Sequence, residues 1–208
     1  MIQEMVNGSI AVLTRPSVQS FEQHERDNLV WALIYAVIAS VINGILAAIT
    51  APLRVGELRA QLETQGVPPD AIEAAIAQQG NPIIAIFAGI FGTIIGSLII
   101  WGFIYLLGRA FGGTGSFGEL AWGLSLFSSP LAVAQSIVSV IPLVGDILLL
   151  GLSIYGVYLT YLAIQSGMNL PSQKALYIAI ILLVITLLFL CVTVGLAAIV
   201  GLIGGLAP

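Results

Sequence analysis

The chain has 208 residues, a formal net charge of −4, only 8% charged residues and a mean hydropathy of +1.08. That length and composition leave no room for a separate soluble catalytic domain, and the absence of any basic stripe argues against nucleic-acid binding. The single cysteine, Cys191, cannot close an internal disulfide.

Residues 1–27 read as a polar N-terminal tail with short apolar patches such as Ile10–Leu13. They lack the continuous apolar core of a cleavable signal peptide. Pro16, Ser17 and then Val18, Phe21 and Leu29 predict a short helix lying at the membrane interface before the first span. Residues 28–208 form the membrane domain. It holds five apolar stretches, at 29–49, 82–108, 120–141, 147–165 and 175–203. Each is close to the ~20 residues that a helix needs to cross the hydrocarbon core.

Residues 51–81 are the one sizeable loop. Leu58, Leu62, Ile72 and Ile76 recur at helical spacing, and Gly66-Val67-Pro68-Pro69 breaks the run. Asp70 is a candidate cap for the second piece and Gly80 a stop, which gives an outer helical hairpin. Arg54 and Arg59 against Glu57, Glu63, Asp70 and Glu73 give it a net charge of −2. It serves as a cap over the spans or as a partner-docking surface.

Lys and Arg are held on the cytoplasmic side of a membrane. With the N-terminus inside, Arg15, Arg26, Arg109 and Lys174 lie inside, and Arg54 and Arg59 outside. Trp31, Trp101 and Trp122 then fall at the inner ends of their spans, where indoles favour the interface. An odd number of spans puts the C-terminus outside. The fifth stretch has no charge after Lys174. A helix to Ile203 would reach about 45 Å, so it must tilt, or bend at one of the glycines near its end.

Gly113-Thr114-Gly115-Ser116-Phe117-Gly118 matches a dinucleotide fingerprint in letters only, because a membrane helix precedes it and not a strand. Its glycines permit a tight turn after Arg109. Ser116 with Glu119 predicts a capping box that opens the third span. Pro142 and Gly145 precede Asp146, which reads as the N-cap of the fourth span. His24 is the only histidine, so neither a metal set nor a nucleophile–base pair can be assembled. Gly92 and Gly96, and Ala197, Gly201 and Gly205, recur at four-residue spacing and predict close helix packing, within the chain or between copies. Ser125, Ser128, Ser129 and Gln135 flank Pro130, and Tyr155, Tyr158, Thr160 and Tyr161 lie in the next span. They are helix-to-helix hydrogen-bonding groups or the lining of a polar cavity between the third and fourth spans.

The order of these features resembles a known family. Gly112-Gly113-Thr114-Gly115-Ser116-Phe117 is followed by Pro130, by Ile141-Pro142-Leu143-Val144-Gly145, by a tyrosine-containing span and by Lys174-Ala175-Leu176. This pattern, across about residues 108–194, is similar to the Yip family of Ypt/Rab-interacting membrane proteins. The resemblance implies a five-span all-helical bundle with a cytoplasmic N-terminus. Eukaryotic members act in vesicle trafficking and bind prenylated Rab GTPases at Golgi and endoplasmic reticulum membranes. The short tail here lacks their acidic Asp-Leu-Tyr-Gly-Pro segment, Leu124 stands where a tyrosine often follows the glycine, and Pro130 falls slightly late. These departures weigh against a Rab-type GTPase partner, and the compact form resembles prokaryotic members. The expectation is therefore an all-α, five-span protein of a prokaryotic cytoplasmic membrane, without catalytic, cofactor or metal site. Its expected role is a scaffold or adaptor that binds other membrane proteins, binds itself or shapes the bilayer. The alternative is a small transporter or channel component using the cavity of Ser125, Ser128, Gln135 and Tyr158.

Overall fold

A computed structural model of the protein describes residues 1–64, 66–78, 82–141 and 144–204. All regular elements among them are helices: α1 (Ile2–Thr14), α2 (Val18–Gln23), α3 (Leu29–Thr64), α4 (Pro69–Gln78), α5 (Pro82–Ala110), α6 (Phe117–Val138), α7 (Val144–Gly167) and α8 (Ser172–Gly204). Five segments are long and apolar enough to cross a membrane: Leu29–Ala51, Ile86–Ala110, Phe117–Val138, Val144–Gly167 and Ser172–Thr193. The protein is an all-α polytopic membrane protein.

α6 is the centre. About 44% of its span is buried inside the protein, against 11% for α5, so its neighbours enclose it while α5 faces outward. α3 and α7 run along α6, α5 packs chiefly on α3, and α8 leans on α7 and the end of α5. The core is concentrated at the end where α3, α6 and α8 begin, called the head end below. Trp122, Leu120, Leu126, Leu159, Ile164, Met168 and Ile178 are almost fully buried there.

The N-terminal segment belongs to this core. Residues 1–27 were expected as a polar tail with one short helix after Pro16; α1 precedes that helix. Met5, Gly8, Ser9 and Val12 recur on one face of α1 and are buried, mainly against α6. Small residues set the approach: a Cβ at Gly8 would come within 3.2 Å of Leu126. α2 follows an N-cap at Ser17, whose Oγ accepts from Ser20 N at 3.1 Å. Phe21 turns inward, edge-on to Phe127 at 6.3 Å, so α2 does not lay it on the membrane interface. The exposed apolar stripe Ile2, Val6 and Ile10 lies instead on α1.

Two tryptophans also depart from expectation. Trp101 and Trp122 are 5% and 1% exposed, so they fill the head-end core and are not interfacial anchors. Trp122 Nε1 donates to the His24 carbonyl at 2.8 Å, which satisfies the indole's one donor.

The hairpin forms, but α3 supplies its first arm without interruption, and its 36 residues reach about 54 Å. Gly66 adopts φ 72° in the turn, a left-handed conformation that glycine takes without strain. α4 begins at Pro69, which places Asp70 in its first turn and not at the cap. Ile72 is buried and Arg59 Nη2 donates to Glu73 Oε1 at 2.7 Å. Gly80 lies outside the described residues. α8 is a single helix of 33 residues through Gly195 and Gly201, about 50 Å long, which resolves the tilt-or-break alternative in favour of an unbroken helix.

Candidate functional site

Two places concentrate the residues singled out from sequence: the joint at the head end and a polar groove in the membrane half beyond it.

The joint is built on glycine. The α5–α6 turn carries Gly112 at φ 90°, and Lys174 Nζ donates to the Phe111 carbonyl at 2.8 Å, tying α8 to this turn. Arg109 Nη1 donates to the Gly113 carbonyl at 3.2 Å, while Thr114 N donates to the Met168 carbonyl at 3.0 Å. A Cβ at Gly113 would come within 2.9 Å of the Gly108 carbonyl and of Met168 Cε. At Gly115 it would collide with the Gly167 carbonyl, and at Gly118 with the Asp27 carboxylate. The glycines thus let one turn press on the end of α7, as a helix-packing device and not as a phosphate cradle. The capping box is complete: Ser116 N donates to Glu119 Oε2 at 2.7 Å and Glu119 N to Ser116 Oγ at 3.1 Å. Two of the orphan amides at the start of α6 are satisfied in this way.

Glu25 is brought beside Glu119 by the fold. It shares a small crevice with Phe21, Glu119, Gly123, Ala163, Ser166 and Gly167. Its Oε1 is enclosed without a hydrogen-bond partner. Burial, then the Glu119 and Glu22 charges, push its pKa from the ordinary carboxylate range to about 7. No sequence signal marks it, because it lies 94 positions from Glu119 and only the fold brings the two together.

The polar groove lies elsewhere than expected. The cavity predicted between the third and fourth spans is not where the polar residues gather. Tyr158 is 45% exposed on the outer side of α7 beside Tyr161, and Ser125 Oγ bonds the Trp122 carbonyl at 2.8 Å. Gln135 lies half-buried on α6, outside the groove lining. A cavity of about 490 Å³ opens instead on the other side of α6, between α3, α5 and α6. Ser128, Ser129 and Ser136 reach it from α6, Ser40 and Asn43 from α3, and Thr93 and Ser97 from α5. Pro130 sits within α6 beside this lining, and the helix continues through it. Ser128, Ser129 and Ser136 of α6 face the side of α3 and α5, a side that periodicity on one helix cannot choose.

The other residues disperse. Asp146 is exposed in the first turn of α7, which begins at Val144, so it is not the cap. Gly145 is buried, and a Cβ there would come within 2.6 Å of the Val138 carbonyl. Pro142 and Gly205 lie outside the described residues, and Ala197 and Gly201 fall on the last turns of α8. Gly92 and Gly96 do not pack within the chain: nothing lies within 4 Å of a Cβ built at either. This corrects the intrachain reading of that pair. Among the described residues, no three His, Cys, Asp or Glu side chains gather as a metal site requires. His24 Nδ1 donates to the Ser20 carbonyl at 2.9 Å, and Cys191 is a free thiol on the exposed surface of α8.

A family model for the Yip1 domain matches residues 10–205, which takes in the end of α1, the head-end joint, the groove and all five spans. Comparison with curated proteins and with solved structures gave no match. The match extends well beyond the motif-bearing part recognised in the sequence, and on that breadth the chain belongs to the Yip family of integral membrane proteins.

Proposed function

We propose that this Yip-family protein is a non-catalytic membrane scaffold or adaptor that binds other membrane proteins through its spans. One observation supports the reading most directly. Gly92 and Gly96 form a small-residue step on α5, bordered by exposed Phe91, Ile95 and Ile99, with no neighbour in the chain. In lipid, helices associate through close packing of small residues and not through a hydrophobic drive. Here the small residues are spaced for a contact that the fold itself leaves unmade, and the packed head end holds α5 against α3 to present it.

The test is cross-linking in native membranes followed by mass spectrometry, on the natural chain and on Gly92→Leu. The expected result is loss of a recovered partner, or of self-association, with unchanged thermal unfolding. Complexes that survive Gly92→Leu unaltered, or the absence of any partner from the natural chain, would remove the support for an adaptor.

A further inference from the structure

We infer that the groove between α3, α5 and α6 is a binding site for an uncharged, hydroxyl-rich group. This goes beyond the adaptor reading and does not depend on it, since Gly92 and Gly96, tested there, are not part of the groove lining.

The polar lining is specific to this place. Four serine and threonine hydroxyls elsewhere in the spans are satisfied by their own helix: Thr50 bonds the Leu46 carbonyl, Ser153 that of Leu149, Thr160 that of Gly156 and Thr186 that of Leu182. That is the usual way to carry a hydroxyl in lipid. Ser129 does otherwise. It is only 4% exposed, it lines the groove, and its Oγ has no hydrogen-bond partner. Asn43 Oδ1, across the groove on α3, is likewise enclosed and unpartnered. A buried polar atom left unpaired costs about 1–3 kcal/mol. Two such atoms facing one cavity of about 490 Å³ call for a ligand that supplies donors and acceptors to both.

The chemistry of that ligand follows from the wall. Among the described residues it consists of hydroxyls, one amide, alanines, glycines and Ile86, with no Asp, Glu, Lys, Arg or His. A phosphate, carboxylate or ammonium would enter without a counter-charge, at high desolvation cost. Serine and threonine hydroxyls both donate and accept, and the asparagine amide does the same. That pattern fits a polyol, whose hydroxyls also do both.

Shape narrows the route. From Ala36 to Ala47 the groove follows α3 for about 16 Å, from the first third of the span toward the hairpin end. Below it, the head-end core of Trp101, Trp122 and Phe127 is packed. α3 packs along both α5 and α6, whereas α5 and α6 meet sparsely, so the groove has a floor and a lateral seam. A hydroxylated lipid head group can enter along the seam with its chain in the hydrocarbon, and a free polyol can enter from the hairpin end.

The experiment separates these two sources. The full-length protein is placed in phosphatidylcholine nanodiscs doped with monooleoylglycerol, or with its diacetylated analogue, which lacks the two free hydroxyls. Retained lipid is read by native mass spectrometry. In parallel, glycerol influx is read by light scattering from proteoliposomes. Retention of monooleoylglycerol at least about fivefold above the diacetylated analogue, the discrimination expected from one or more hydrogen bonds, establishes the lipid source. Glycerol influx above protein-free vesicles establishes the free one. Either signal should fall about fivefold in Ser129→Ala and disappear in Gly89→Leu, whose side chain enters the groove from beside Ser40. Equal retention of both lipids together with no glycerol influx overturns the proposal, and this arm needs no variant to fold. A signal unchanged in both variants, with their thermal unfolding intact, overturns it equally.

Discussion

Single residues decide whether the head end holds. Glu25 is the clearest case, because a carboxylate is half-buried beside a second one with an oxygen unpaired. Its pKa of about 7 exceeds the ordinary 4.5, so the folded state binds this proton more tightly than the unfolded chain does. The sign follows directly: stability from this group is complete below about pH 4.5 and is lost as pH rises through about 7. The groups facing it are Glu119 on α6 and Glu22 on α2, both of which oppose its ionisation. Thermal unfolding should therefore occur at a lower temperature at about pH 8 than at about pH 5. Glu25→Gln should flatten that dependence and raise the value at the higher pH. A pH dependence that survives the substitution would assign it to another group.

Between elements, the decisive contacts are backbone against backbone. The turn before α6 meets the end of α7 at Gly115 and Gly167, with no space for a methyl group. Gly115→Ala should destabilise the protein by about 1–3 kcal/mol, since a packed backbone cannot give way as a flexible side chain can. Gly92→Ala, with open space around it, should change stability by less than about 1 kcal/mol. Comparing the two melts checks the assignment of one glycine to the fold and the other to the outer surface. The capping box and the five spans were legible because their signals are local: Ser116 and Glu119 are three residues apart, and each span is one apolar run. The α1 helix was not, because its buried face is only Met5, Gly8, Ser9 and Val12 and its opposite face is mixed. Periodicity that weak shows as a helix only when α6 is there to bury it. The polar groove escaped for a related reason. Its lining comes from three helices, and no one of them states which neighbour its serines will face.

At the scale of the whole molecule, the protein is a tightly packed head end from which long helices extend, with most of the α5 and α8 spans left uncovered by the rest of the chain. The orientation expected from the basic residues puts the head end inside and the α3–α4 hairpin outside. Cysteines introduced at Gln19 and Asp70 should then react with a membrane-impermeant maleimide from opposite sides of sealed vesicles, in Cys191→Ser protein. Labelling from the same side would refute the five-span path. One feature of the head end bears on how such a protein is made. Tyr155 Oη donates to the Leu13 carbonyl at 2.6 Å, and Trp122 Nε1 to that of His24. These contacts join residues separated by 142 and 98 positions. α1 and α2 thus have their partners in the third and fourth spans, which leave the ribosome much later than they do. α1 and α2 must wait, undocked, until α6 and α7 have been inserted. The docking of α1 and α2 is thus a check that the third and fourth spans are in place.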